Sequence, residues 1–288
     1  MPKSHNVYLA MTLASAMLMA TIAPLAKWSE TSPEVVTFYR VFIGAVCIVV
    51  LGALQKRWVS LAFRPTLQSM IAGFALTGFM VAYVKAVELM PMAEAVMILY
   101  LAPLLAAVGA FILFDEKLTG LSVAMVVLAL AGFVLMIDFD ATSGGTDDTY
   151  LEGLVFAMTA CLCYASFILI NRRASNLEPI QSTLVQLSVA SILLAYFAVD
   201  AGFPDQGQWL WLVLIGVGPG FLAMVFAIQA LSRINAITYG TLAYMEPLTV
   251  AVLAWGFFGE VMNAQQLIGA ACIILAGLVK ARVASKAY

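Results

Sequence analysis

Apolar residues come in long runs along this chain, and the polar ones collect in the gaps between them. Cutting at charges, prolines and glycines leaves ten such stretches, beginning near Asn6, Glu34, Pro65, Pro91, Leu118, Leu151, Glu178, Trp209, Asn235 and Asn263. Each is roughly 20 residues long, enough for an α-helix to cross the ~30 Å of hydrocarbon in a bilayer. The short alternating segments of a lipid-facing β-barrel are missing. The pattern therefore predicts an all-α membrane protein with ten transmembrane helices. The first stretch, Val7 to Ala26, is too long for the core of a cleavable signal and follows a single lysine, Lys3, so it counts among the ten.

The second half of the chain echoes the first at a spacing of 144, half of its 288 residues. Tyr100 and Pro103 recur as Tyr244 and Pro247, Glu116 as Glu260, and Ala86, Leu104 and Ala107 as Ala230, Leu248 and Ala251. This divides the chain into a first five-helix repeat over residues 1–140, an extracytoplasmic linker over 141–149, and a second five-helix repeat over 150–288. Basic residues set the sidedness. With the N-terminus inside, eleven of the 14 lysines and arginines fall at inner ends, Lys27 and Lys85 lie outside, and Arg40 sits within helix two. Both termini are expected in the cytoplasm, in a bacterial inner membrane. Five crossings per copy is an odd number, so the two repeats are inverted relative to each other, the architecture on which secondary transporters are built.

Composition narrows the partners. The chain is 64% hydrophobic and 10% charged, with a mean hydropathy of +1.01, far from the about 25% charge of soluble domains. Lipid is the partner this implies. A net charge of −2 with no basic stripe argues against nucleic acid. No phosphate-cradling glycine loop ending in lysine and serine or threonine occurs, so no ATP site is expected and a gradient, with protons as candidate coupling ion, supplies the drive. No metal or other cofactor is expected either. The acidic linker lacks the spacing of a calcium loop, and Cys47, Cys161, Cys163 and Cys272 read as small packing residues within helices.

Chemistry concentrates in a few intramembrane positions. Pro103 and Pro247 occupy matched places in helices four and nine, where a proline removes a backbone donor and bends the rod. Gly218 and Pro219, with Gly216 and Gly220, interrupt helix eight, and Gly73 and Gly78 are expected to interrupt its counterpart, helix three. These are the candidate gating positions. Glu246, beside Pro247 near the midplane, is either a structural hydrogen-bonded acid or a group that handles substrate or protons; its repeat mate is Ala102. Arg40 either clamps an anionic substrate group or pairs with Glu94 or Glu88. Lys85 and Glu88, three apart, are placed to pair with each other. Tyr39, Tyr83, Tyr100, Tyr164 and Tyr244, with Gln186, complete the candidate substrate-binding set, since a ring with a polar tip suits a cavity for amphipathic solutes.

The run Phe38, Tyr39, Arg40, Val41, Phe42, the stretch from Pro103 to Glu116, and Tyr244, Met245, Glu246, Pro247 leading to Trp255 and Glu260 resemble the drug/metabolite transporter superfamily in its EamA branch of ten-helix exporters. Gly153, Ala157, Ala160, Tyr164 and Ala165, ahead of Arg172 and Arg173, resemble the opening helix of the family's second copy. In helix one the chain departs from the pattern, with Met17, Leu18, Met19 and Ala20 where the family often has tryptophan and glycine. The layout is similar to YddG-type amino acid exporters. The resemblance implies export of small metabolites, amino acids foremost, by alternating access. A passive channel or structural membrane protein is the alternative. An intramembrane enzyme is disfavoured, because the one histidine is His5 in the N-terminal tail and no lysine lies at mid-depth to serve a serine.

Overall fold

A backbone in hydrocarbon must close its own hydrogen bonds, and the apolar runs do so as helices. The computed structural model describes residues 2–54, 65–90, 92–114, 119–136, 148–173, 177–259 and 263–286. Lys56, Arg57, Arg64, Glu116, Lys117, Glu260 and the linker as far as residue 147 lie outside these. The described residues form α1 (Pro2–Ala20), α2 (Ile22–Ser29), α3 (Pro33–Leu54), α4 (Leu67–Leu89), α5 (Met92–Leu99), α6 (Ala102–Phe114) and α7 (Gly120–Met136) in the first half. The second half supplies α8 (Asp148–Arg172), α9 (Pro179–Ala201), α10 (Trp209–Ile215), a π-helical stretch (Gly216–Ala223), α11 (Met224–Leu231), α12 (Ala236–Ala243), α13 (Met245–Phe258) and α14 (Ala264–Lys286). No strand occurs among the described residues. Asp148 to Tyr150, which the sequence places in or beside the linker, already belong to α8.

Several of these helices are segments of one rod. α1 with α2, α5 with α6, α12 with α13, and α10 with the π stretch and α11 each run on through a short break, so ten rods are present among the described residues. Six of the ten are long and apolar enough to cross a membrane. The break at Thr21 was not foreseen. Pro24, in the first turn of α2, has no N–H to return to Ala20, and the Thr21 hydroxyl donates to the Leu18 carbonyl at 2.7 Å. The predicted interruption of helix three is corrected: α4 is continuous. A glycine alone keeps the ladder of hydrogen bonds, and here Gly73 admits the Val189 side chain of α9 while Gly78 admits the Cys163 sulfur of α8.

Local chemistry sets the ends. Thr66 and Ser69 form a reciprocal capping box at the start of α4. Asn235 accepts from the Thr238 N–H at 2.9 Å to start α12. α13 stops at Gly259, whose φ of 69° is the left-handed turn glycine takes without strain.

The helices pack in a twofold pattern. α3 lies on α9 and α7 on α14, each the partner of its own repeat mate. α4 packs against α8, and in the same relation α1 packs against the π stretch and α11. Lipid gives no hydrophobic drive between helices, so close approach of small residues carries the contact. The core accordingly contains Ala102, Ala106, Ala110, Ala190 and Ala230, all fully buried. Between α7 and α14 the Gly132 backbone meets the Gly269 carbonyl, and the buried Lys280 ammonium donates to the Ser122 hydroxyl at 2.6 Å. The large side chains Ile192, Val199, Ile112 and Leu113 face outward, where lipid is their solvent.

Candidate functional site

The broken rods converge on a central cavity of about 100 Å³. In two of these rods, α5 with α6 and α12 with α13, proline makes the break, although the helix gives way one turn before the proline rather than at it. α5 ends at Leu99 and Pro103 sits in the first turn of α6; α12 ends at Ala243 and Pro247 sits in the first turn of α13. Each proline lacks the N–H that would close on the carbonyl four residues back. Those carbonyls belong to Leu99 and Ala243, and both residues line the cavity.

One cation and one carboxyl face this space among its lining residues, Arg40 from α3 and Glu246 from α13. No ion pair joins them directly among the described residues, though each is the opposing charge of the other on the same cavity wall, which Tyr164 also lines. The Tyr100 hydroxyl lies beside the Glu246 carboxyl. Aromatic rings make the apolar wall: Phe79 of α4 stacks on Tyr164 of α8 with centroids 5.0 Å apart, and Phe167 and Tyr239 close it. α1 contributes Thr12, Ser15, Ala16 and Met19, which share one helix face. Thr12 is already bonded to the Tyr8 carbonyl at 2.9 Å, and Ser15 donates to the Ala223 carbonyl at the end of the π stretch at 2.8 Å.

Arg40 is held from behind by backbone. A Cβ on Gly220 would come within 2.0 Å of the Arg40 carbonyl oxygen, and one on Gly44 within 2.6 Å of the Gly220 carbonyl oxygen. Only glycine lets the π stretch press this closely on the turn of α3 that carries the guanidinium.

Both halves of the chain match a known transporter unit. The EamA-like transporter family matches residues 6–138 and again residues 151–279. The chain belongs to the EamA-like transporter family. An uncharacterized transporter of Archaeoglobus fulgidus is 28% identical over 272 residues, 92% of each chain. The threonine/homoserine exporter RhtA of Escherichia coli strain K12 is 28% identical over 250 residues, 84% of this chain and 80% of its own. The aromatic amino acid exporter YddG of Ancylobacter novellus is 24% identical over 254 residues, 87% of each. A crystal structure of a protein 21% identical in sequence superposes on 96% of this chain and 98% of its own with a TM-score of 0.85, which shows the shared fold. The family and these relatives are transporters, so this EamA-like chain is a multi-pass membrane protein that handles a small-molecule substrate.

In this EamA-like structure, four of the residues singled out from sequence meet in the cavity: Arg40, Tyr100, Tyr164 and Glu246. The others stand elsewhere. Tyr39, one residue from Arg40, is turned by about 100° around the helix and packs on Trp209 with centroids 5.1 Å apart. Tyr83 is half-buried one turn beyond Phe79, in a cluster with Ala86 and Ala157. Gln186 is fully buried in a brace between α8 and α9, donating to Asn171 Oδ1 and to Ser182 Oγ at 2.8 Å each. Tyr244 donates to the Tyr100 carbonyl at 2.7 Å across the pseudo-twofold. Gly218 has little packed against it, whereas its neighbours Gly216 and Gly220 carry the close contacts of the π stretch. Lys85 and Glu88 pair at 2.7 Å, which leaves Glu246, and not Glu88, as the carboxyl facing Arg40. The Glu94 side chain lies outside the described part.

Sequence reasoning missed Ser15, Met19, Phe79 and Met80. Their signal was present: Thr12, Ser15, Ala16 and Met19 fall at i, i+3, i+4 and i+7, a small polar stripe on an otherwise apolar helix, and Leu76, Phe79 and Met80 continue the same spacing on α4.

Proposed function

We propose that the chain is a secondary exporter of small zwitterionic amino acids working by alternating access. The observation that carries this reading is one arginine and one glutamate lining a single small cavity, with no ion pair between them among the described residues. A free α-amino acid has the matching pair of charges. Its carboxylate meets the planar guanidinium of Arg40, its ammonium meets Glu246 and the carbonyls of Leu99 and Ala243, and its side chain lies against Phe79, Tyr164 and Met19. An uncharged solute would bring neither group an opposite charge, and an uncompensated ion of either sign would serve only one of them. The names of the exporters RhtA and YddG, of threonine or homoserine and of aromatic amino acids, support the same solute class. Glu246 is also the carboxyl that a coupling proton would reach, since it is the acidic group on the cavity wall.

Counterflow of labelled amino acids in proteoliposomes tests this reading. The native protein is expected to exchange at least one amino acid saturably, with Arg40→Ala and Glu246→Gln each losing about 100-fold or more in uptake efficiency. Arg40→Lys is expected to recover only part, because an ammonium lacks the bidentate fork. Absence of exchange across a full amino acid panel would overturn it, and flux that never saturates would point to a channel.

A further inference from the structure

We infer that a second pocket in the upper bundle is the outer chamber of the transport route, and that the side chain of Met80 is the partition between it and the central cavity. The inference rests on the export reading above. This pocket, about 380 Å³, lies where α3 begins and α4 and α9 end. That is the end of the bundle the basic residues predict to be outside. Met80 is 3% exposed and lines both spaces. It follows Phe79, whose ring stacks on Tyr164 in the central cavity, so the wall of one chamber is the floor of the other.

The residue type fits the role. Methionine is unbranched and turns about three side-chain bonds, so it is able to swing aside while its helix stays still. α4 is the continuous member of its repeat pair, which makes it the right place for a moving side chain on a fixed backbone.

The outer pocket has its own chemistry. Glu34 comes from α3, Lys85 from α4 and Asp200 from α9, with Phe197 and Val84 as apolar wall. The Lys85 charge is taken up by Glu88 at 2.7 Å, so Glu34 and Asp200 leave the chamber net negative. A zwitterion arriving through the Met80 partition is held there by its ammonium end alone. Arg40, the clamp on its carboxylate, remains behind in the central cavity, and the carboxylates repel that end. The chamber thus favours release after passage, with ammonium-bearing solutes as its ligand class.

The test uses proteoliposomes of the full chain exchanging a labelled amino acid, with binding measured separately in detergent by equilibrium dialysis. Val84→Trp fills the outer pocket without reaching the central cavity; it is expected to bind within about two-fold of native and to exchange about ten-fold more slowly. Met80→Ala removes the partition and is expected to exchange about three-fold faster while discriminating less between amino acids. Glu34→Gln with Asp200→Asn is expected to weaken external amino acid affinity about five-fold, with internal affinity unchanged. Native exchange with an unhindered Val84→Trp overturns the outer chamber, and a Met80→Ala no faster than native overturns the partition. Unchanged external affinity in the double variant overturns ammonium recognition there. A native protein that exchanges nothing overturns the export reading itself and this inference with it, a result distinct from the other three.

Discussion

Rods three and eight are the same element in two copies, yet one is an unbroken α-helix and the other carries a π stretch in its middle. Aligned at the repeat spacing, Pro219 stands where α4 has Ala75, Gly220 where it has Leu76, and Gly216 where it has Ala72. All eight positions of the π stretch differ from their counterparts in α4, and the proline and its flanking glycines are the changes that widen the rod. Pro219 withholds the donor that would close on Ile215, the turn expands, and the glycines let the loosened backbone press against Ile43 and the Arg40 carbonyl. Duplication supplied two copies of one path through the bilayer, and local chemistry loosened the backbone of only the second.

Swapping residues between the two rods tests the comparison. The largest effect is expected from Gly220→Leu, which gives rod eight its counterpart's residue: backbone oxygen already occupies the space of a Cβ, so the destabilisation exceeds about 4 kcal/mol and folded protein is lost on size exclusion in detergent. Leu76→Ala, cutting the matching position in α4 to a small residue, is expected to cost about 3 kcal/mol in detergent unfolding while the protein stays assembled, since it leaves a hole and no clash. Pro219→Ala restores the missing N–H. It is expected to stabilise rod eight by about 1 kcal/mol, slow its hydrogen exchange and reduce amino acid counterflow. Ser15→Ala removes the bond from α1 to the Ala223 carbonyl and is expected to cost about 0.6 kcal/mol, with counterflow nearly native. If Pro219→Ala leaves hydrogen exchange unchanged, the π stretch is not the looser of the two rods.

Much of this was readable in the sequence, because membrane helices advertise themselves by length and hydropathy and a repeat by identity at fixed spacing. α5 and α12 start at Met92 and Ala236, α7 and α14 at Gly120 and Ala264, as the echo of Tyr100 in Tyr244 requires. Arg40 and Glu246 were also legible, since a charge at mid-depth has few reasons to exist. What stayed hidden was the choice of partner. Gln186 looks like a ligand-binding amide until Asn171 and Ser182 are seen to use it. Tyr39 looks like a neighbour of Arg40 until the helix turns it away to Trp209. Helix three looked breakable because its glycines resemble those of rod eight, but only a proline removes a rung from the ladder.

The hydrogen bond from Tyr244 to the Tyr100 carbonyl runs one way only. Tyr244 is sealed from the cavity and spends its hydroxyl as mortar between the two copies, while Tyr100, its twin, keeps its own hydroxyl beside Glu246. An ancestral pair of identical subunits would have had to choose one task for both tyrosines; fusing them into one chain let each drift to a separate trade.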